Sequence, residues 1–230
     1  MIYKLKGILR FRILIIIFLL SLMVVKAQKP NKFSLKPALG ITASQLHGDA
    51  YDGYHKLGLV AGLYVNAALK EHSSLEFGLI FDQKGARKNQ NPAKFDYRYY
   101  YLNLNYLEVP LIYRWQPNKF FFTIGASFAY LINYYEASEA GNLTGIIPFK
   151  STEYSVNTGI GRMISQKVAI EIRFNNSIIA VKPLPPGYTK PYYNNIIART
   201  FSNGCYNNIV QIAFTYKLTP GKKRESKEED

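Results

Sequence analysis

From Tyr106 to Trp115 every second residue is large and apolar: Leu107, Val109, Leu111, Tyr113 and Trp115. The intervening row is Tyr106, Glu108, Pro110, Ile112 and Arg114, so a carboxylate and a guanidinium share the opposite face. A period of two predicts an extended strand that is apolar on one side and tolerates charge on the other. The same alternation recurs along the chain. It predicts eight strands, over residues 33–44, 57–69, 74–82, 106–115, 120–130, 154–162, 168–175 and 209–218.

The stretches between these strands alternate in length. Residues 70–72, 116–118 and 165–167 read as tight turns, whereas 47–56, 85–101, 133–153 and 178–206 read as long loops. Short turns on one side and long loops on the other are the rule for outer-membrane barrels. An even strand count then places both termini in the periplasm. The expectation is an all-β chain: an eight-stranded antiparallel up-and-down transmembrane β-barrel preceded by a cleavable signal peptide.

A soluble barrel with its apolar row turned inward would show the same alternation, and volume separates the two. An eight-stranded interior is just wide enough for side chains to fill it. The apolar rows are too bulky to fit there. The opposite row carries Gly40, Gly58, Gly62, Gly78, Gly125, Gly159 and Gly161, which suit a crowded lumen. The apolar rows therefore face lipid, and their only charge, Arg162, lies at a strand end. Aromatic belts follow at the two interfaces: Phe33, Trp115, Phe120 and Tyr216 at the periplasmic ends, and Phe81, Tyr130 and Tyr154 at the outer ends.

At the start of the chain, Lys4, Lys6, Arg10 and Arg12 precede the apolar run from Ile13 to Val25, and Val25-Lys26-Ala27 offers a cleavage site. These features predict a signal peptide over residues 1–27. The run is shorter than the roughly 20 residues of a helical span, so a membrane-embedded chain must cross by strands. The barrel domain is expected over 28–218 and a charged, disordered tail over 219–230. Formal net charge is +14; removing the five basic residues of the leader leaves 24 basic against 15 acidic side chains. No nucleic-acid module accompanies this basicity, so nucleic acid is not expected as a partner. The single Cys205 rules out an intrachain disulfide.

Lumen-facing charges gather toward the periplasmic half: Lys36, Glu76, Glu108, Arg114, Glu171, Arg173 and Lys217. Buried charges must pair, so a structural plug is expected, with a proton or ion path as the alternative. Glu108 should bridge to Arg114, Arg173 or another of these bases. Pro110, having no N–H, should leave an irregular bond in the ladder. In the outer loops, Arg87, Lys88, Lys94, Arg98, Lys182, Lys190 and Arg199 interleave with Tyr97, Tyr99, Tyr100, Tyr188, Tyr192 and Tyr193. Such a surface suits lipopolysaccharide phosphates or an acidic partner, or simply neutralises the anionic leaflet. Ser44, His47, Asp49 and His55 are the residues an enzyme would use, but their unordered proximity is a weak signal. No catalytic, cofactor or metal site is expected.

The signal ending, the eight-strand spacing and the Tyr106-Leu107-Glu108-Val109-Pro110-Leu111 stretch resemble the outer-membrane β-barrel family that includes PorT-type proteins of Gram-negative bacteria. The resemblance covers residues 33 to 218. It implies a small barrel and, for some members, a part in secretion or gliding machinery. The resulting expectation is a monomeric, non-enzymatic outer-membrane barrel, structural or partner-binding, serving a secretion or envelope-assembly machine. Passive transport of small solutes is the alternative, and a lipid-modifying barrel enzyme is third.

Overall fold

The computed structural model describes residues 33–49, 51, 53–184 and 204–218. The expected signal peptide, the tail from 219 onward, and Lys190, Arg199, Tyr188, Tyr192 and Tyr193 lie outside the described residues. Among the described residues there are ten strands: β1 (Phe33–His47), β2 (Lys56–Lys70), β3 (Ser73–Lys88), β4 (Tyr100–Trp115), β5 (Phe120–Ser138), β6 (Gly141–Asn142), β7 (Thr152–Met163), β8 (Val168–Ser177), β9 (Lys182–Pro183) and β10 (Gly204–Tyr216). β6 and β9 are two-residue ladders on β5 and β10. The other eight are the staves of a barrel, each antiparallel to its neighbours in the order β1-β2-β3-β4-β5-β7-β8-β10. β10 returns to β1, from Ala38↔Thr215 to His47↔Tyr206, and closes the wall. Closure removes every sheet edge, as a wall in lipid requires.

The faces divide as the alternation predicts. Leu39, Ile41, Leu57, Leu59, Phe77, Leu79 and Ile124 point away from the barrel and are more than half exposed or close to it. Glu76, Glu108, Arg114 and Arg173 point inward and are buried. All seven girdle residues, Phe33, Trp115, Phe120, Tyr216, Phe81, Tyr130 and Tyr154, lie on the outer face. They pack with their neighbours: Trp115 stacks on Phe122 at 5.9 Å, and Phe128 meets Tyr154 at 5.4 Å between ring centroids. Arg162, opposite Phe120 at the short-turn end, lays its guanidinium over that ring at 5.4 Å. A cation at a strand end can thus reach the headgroup level while its stem stays on apolar surface.

The strands run further toward the long-loop end than the apolar rows predict. β3 continues to Lys88, β4 begins at Tyr100 and β5 ends at Ser138. Beyond Phe81 on β3, Leu107 on β4 and Ile132 on β5 polar side chains enter the outward row, at Gln83, Asn105 and Asn133, which breaks the apolar alternation while backbone pairing goes on. Gln83 donates to Asn105 at 3.1 Å, and Asn105 donates to Asn133 at 2.7 Å, forming an amide ladder across β3, β4 and β5. A register shift at Asn105/Tyr106 places Asn133 opposite Asn105. Over the same stretch the inward row turns apolar, with Leu46, Leu102, Leu104, Tyr106 and Leu131 in one buried cluster. The wall is therefore oily outside and polar inside along the membrane band, and mixed outside with an apolar cluster inside above it.

Pro110 behaves as its chemistry requires. Pairing between β3 and β4 lapses between Phe77↔Leu111 and Ile80↔Glu108, with no slip of register, and is regular on the β5 side. Inward glycines mark crowding. A Cβ on Gly161 would collide with the Phe121 ring, which itself lies 3.7 Å beneath the Arg114 guanidinium. Gly161→Val should therefore lose about 1–3 kcal/mol through overpacking. Its urea-unfolding midpoint in phospholipid vesicles should fall, and a wild-type midpoint would refute the crowding argument.

Candidate functional site

The barrel interior holds three stacked groups of side chains. Nearest the short turns, Glu76 receives Lys36 Nζ at 2.5 Å and faces Arg114 Nε at 2.6 Å. Glu171 takes a forked pair from Arg173, Nε to Oε1 at 3.1 Å and Nη2 to Oε2 at 3.0 Å, and accepts the Thr123 hydroxyl at 2.7 Å. Arg114 Nη2 lies 3.7 Å from Glu171 and ties the two pairs together. Arg173 also donates to the Tyr64 hydroxyl across the lumen. Two carboxylates and three cations thus span β1, β3, β4 and β8.

At mid-height the balance reverses. Lys84 Nζ sits among three carboxylates: Glu108 at 3.0 Å, Glu153 at 3.1 Å and Asp82 at 3.7 Å. Lys84, Asp82 and Glu153 are fully buried. Asn175 donates to Glu108 at 3.1 Å and accepts from Lys84 at 3.3 Å, Asn207 donates to Glu153 at 2.7 Å, and Gln211 donates to Asp82 at 2.7 Å. The Lys84 ammonium also lies 5.2 Å from the centroid of the Tyr106 ring. The arrangement fixes geometry, since each carboxylate in this narrow, low-dielectric space is held by the shared ammonium and by oriented amides.

Above this lies the apolar cluster, closed by loop residues. Phe149, from the β6–β7 connection, and Val181, which follows β8, are buried among Leu46, Leu102, Leu104 and Leu131. Backbone bonds pin them, Lys150 N–H to the Val181 carbonyl and Val181 N–H to the Cys205 carbonyl, both 2.8 Å. Lys182 donates to both oxygens of Glu136, at 2.6 and 2.8 Å, over the Phe149 ring, and Tyr100 donates to the same carboxylate at 2.8 Å.

Six of the seven lumen charges expected from sequence meet inside the barrel: Lys36, Glu76, Glu108, Arg114, Glu171 and Arg173. Lys217 does not. β10 ends at Tyr216, one residue earlier, so Lys217 is exposed at the open rim. Glu108 pairs with Lys84 instead of Arg114 or Arg173, because both arginines lie lower and are taken by Glu76 and Glu171. The alternation missed Lys84 and Glu153, although parity alone reaches them. Lys84 continues the row Glu76, Gly78, Ile80, Asp82, and Glu153 precedes Ser155 and Asn157 on the inward side.

The remaining candidates are scattered. Ser44 is buried and donates to the Lys56 carbonyl at 3.3 Å, His47 meets Asn208 at 2.7 Å, Asp49 caps the Tyr51 N–H at 2.9 Å, and His55 is exposed. In the β3–β4 loop, Asp96 pairs with Lys88 and Arg98, both at 2.9 Å, so two of the basic loop residues are compensated. The Arg98 hydrogen bond, followed by that of Lys88, holds the Asp96 carboxyl well below the usual carboxylate range. Phe95, at the tip, is exposed and adopts a left-handed backbone with φ of 53°.

No curated protein matches the chain. A family model described as outer membrane protein beta-barrel domain matches residues 26–182. Among solved structures, Ail, the attachment invasion locus protein of Yersinia pestis, is 11% identical with a TM-score of 0.44, over 83% of this chain and 100% of Ail. Neisserial surface protein A is 9% identical with a TM-score of 0.46, over 81% of this chain and 97% of that protein. Acinetobacter baumannii CarO is 10% identical with a TM-score of 0.42, over 79% and 97%. The family match spans more than half of the sequence and agrees with the closed, outwardly apolar wall, so the chain belongs to the outer-membrane β-barrel domain family and is an integral outer-membrane protein.

Proposed function

We propose that this protein is a sealed, monomeric, non-enzymatic barrel of the PorT type. It acts as a structural or partner-binding element of a secretion or envelope-assembly machine. One observation carries the reading: among the described residues, buried side chains fill the lumen. A void among Tyr64, Glu171, Arg173 and Gln211 has a volume of only about 10 Å³, scarcely room for one water. Above it, Phe149 and Val181 stop the long-loop end with apolar bulk. A wall that conducts nothing leaves its two ends and its lipid face for work. The short turns and both termini lie in the periplasm, and the long loops, basic and rich in tyrosine, face outward toward lipopolysaccharide and partner proteins.

Planar-bilayer recording tests the sealed lumen. The purified protein should give no steady open steps at moderate voltage. Reproducible single-channel steps would replace this reading with passive transport of small solutes.

A further inference from the structure

Among the described residues the short-turn end of the barrel is open. A cavity of about 430 Å³ opens there, between the β2–β3, β4–β5 and β7–β8 turns. Its lining is one-sided in charge: Lys36, Lys70, Arg114, Lys167 and Lys217 against the single carboxylate of Glu71. The rim is held by the backbone, with the Gln116 N–H on the His72 carbonyl and the Lys217 N–H on the Lys167 carbonyl, both 2.7 Å.

The floor adds to the imbalance. Lys36 and Arg114 are buried, at 8% and 3% exposure, and belong to the network in which three cations face two carboxylates. Arg114 Nε and Nη2 make no hydrogen bond, although both lie near glutamate oxygens. At the opposite end Lys182 is matched by Glu136, and Lys88 and Arg98 share Asp96. A concave, low-dielectric mouth lined by one sign of charge concentrates the opposite sign. Its volume is that of a small-molecule site.

We propose that this vestibule binds a compact polyanion, a small molecule bearing two or more closely spaced phosphate or carboxylate groups. Lys70, Lys167 and Lys217 act as point charges at the rim, and Lys36 and Arg114 set the positive floor. The site stands independently of the sealed-barrel reading, which concerns the lumen above it.

The test is isothermal titration calorimetry of the full chain in a non-ionic detergent with sodium pyrophosphate, at fixed pH and ionic strength. Wild type should bind saturably. Lys70→Gln/Lys167→Gln/Lys217→Gln, exposed positions that leave the lumen untouched, should weaken binding about tenfold or more. Lys150→Gln, an exposed lysine at the other end, should bind as wild type. No saturable heat with wild type, or equal affinity in the triple variant, overturns the proposal. Glu228→Gln/Glu229→Gln/Asp230→Asn distinguishes the chain's own acidic segment as the occupant. Unchanged affinity supports an external ligand; binding that appears only in this variant overturns it.

Discussion

Lys84→Met should destabilise the barrel by about 3–5 kcal/mol, the cost of leaving a buried ionic network without one partner. Among the described residues Lys84 is the one cation within 4 Å of these three carboxylates, and it is fully buried. Methionine fills a similar volume, so the loss reports charge and not a cavity. Lys36→Met should cost less, because Glu76 keeps Arg114. Adding Glu153→Gln to Lys84→Met should recover part of the loss by removing one uncompensated carboxylate. Urea titration of the folded protein in phospholipid vesicles reads all three. A Lys84→Met midpoint equal to wild type would mean that the network contributes nothing to the fold.

Ile124→Arg should cost about 2–4 kcal/mol, the penalty for a cation on the lipid face near the bilayer midplane. Ile124 lies midway along the outward row of β5, between Phe120 and Tyr130, and is 57% exposed. Its neighbours across the wall are Tyr113 and Thr158, and neither offers a carboxylate. Ile124→Leu should unfold at nearly the wild-type midpoint. The same titration in vesicles separates the cases, and a harmless arginine at 124 would mean that this row does not meet hydrocarbon.

The membrane band was legible in the residues because lipid imposes a rule on each position separately. Leu107, Val109, Leu111, Tyr113 and Trp115 must each be apolar on their own account, so the period shows without reference to any partner. Above the band that rule ends. Asn133 reads as a loop residue, and Asn103 and Asn105 fall outside the predicted strand, yet all three ride on continuous strands, because backbone pairing does not need an apolar outer row. Phe149 and Val181 gave no signal at all as plugs, since nothing periodic marks a loop side chain that turns back into a lumen.

The sequence by itself determined the number of staves, the hand of each face, the alternation of short and long connections and the inward placement of Glu76, Glu108, Arg114, Glu171 and Arg173. Tertiary structure alone decided who pairs with whom. Lys84 meets Glu153 across 69 residues of chain, Arg173 meets Tyr64 across 109, and Gln211 meets Asp82 across 129. A period of two tells a side chain which way to point. Which opposing side chain it reaches depends on the stagger of the strands at closure and on the volume that glycines such as Gly161 leave open, and both are properties of the whole closed wall.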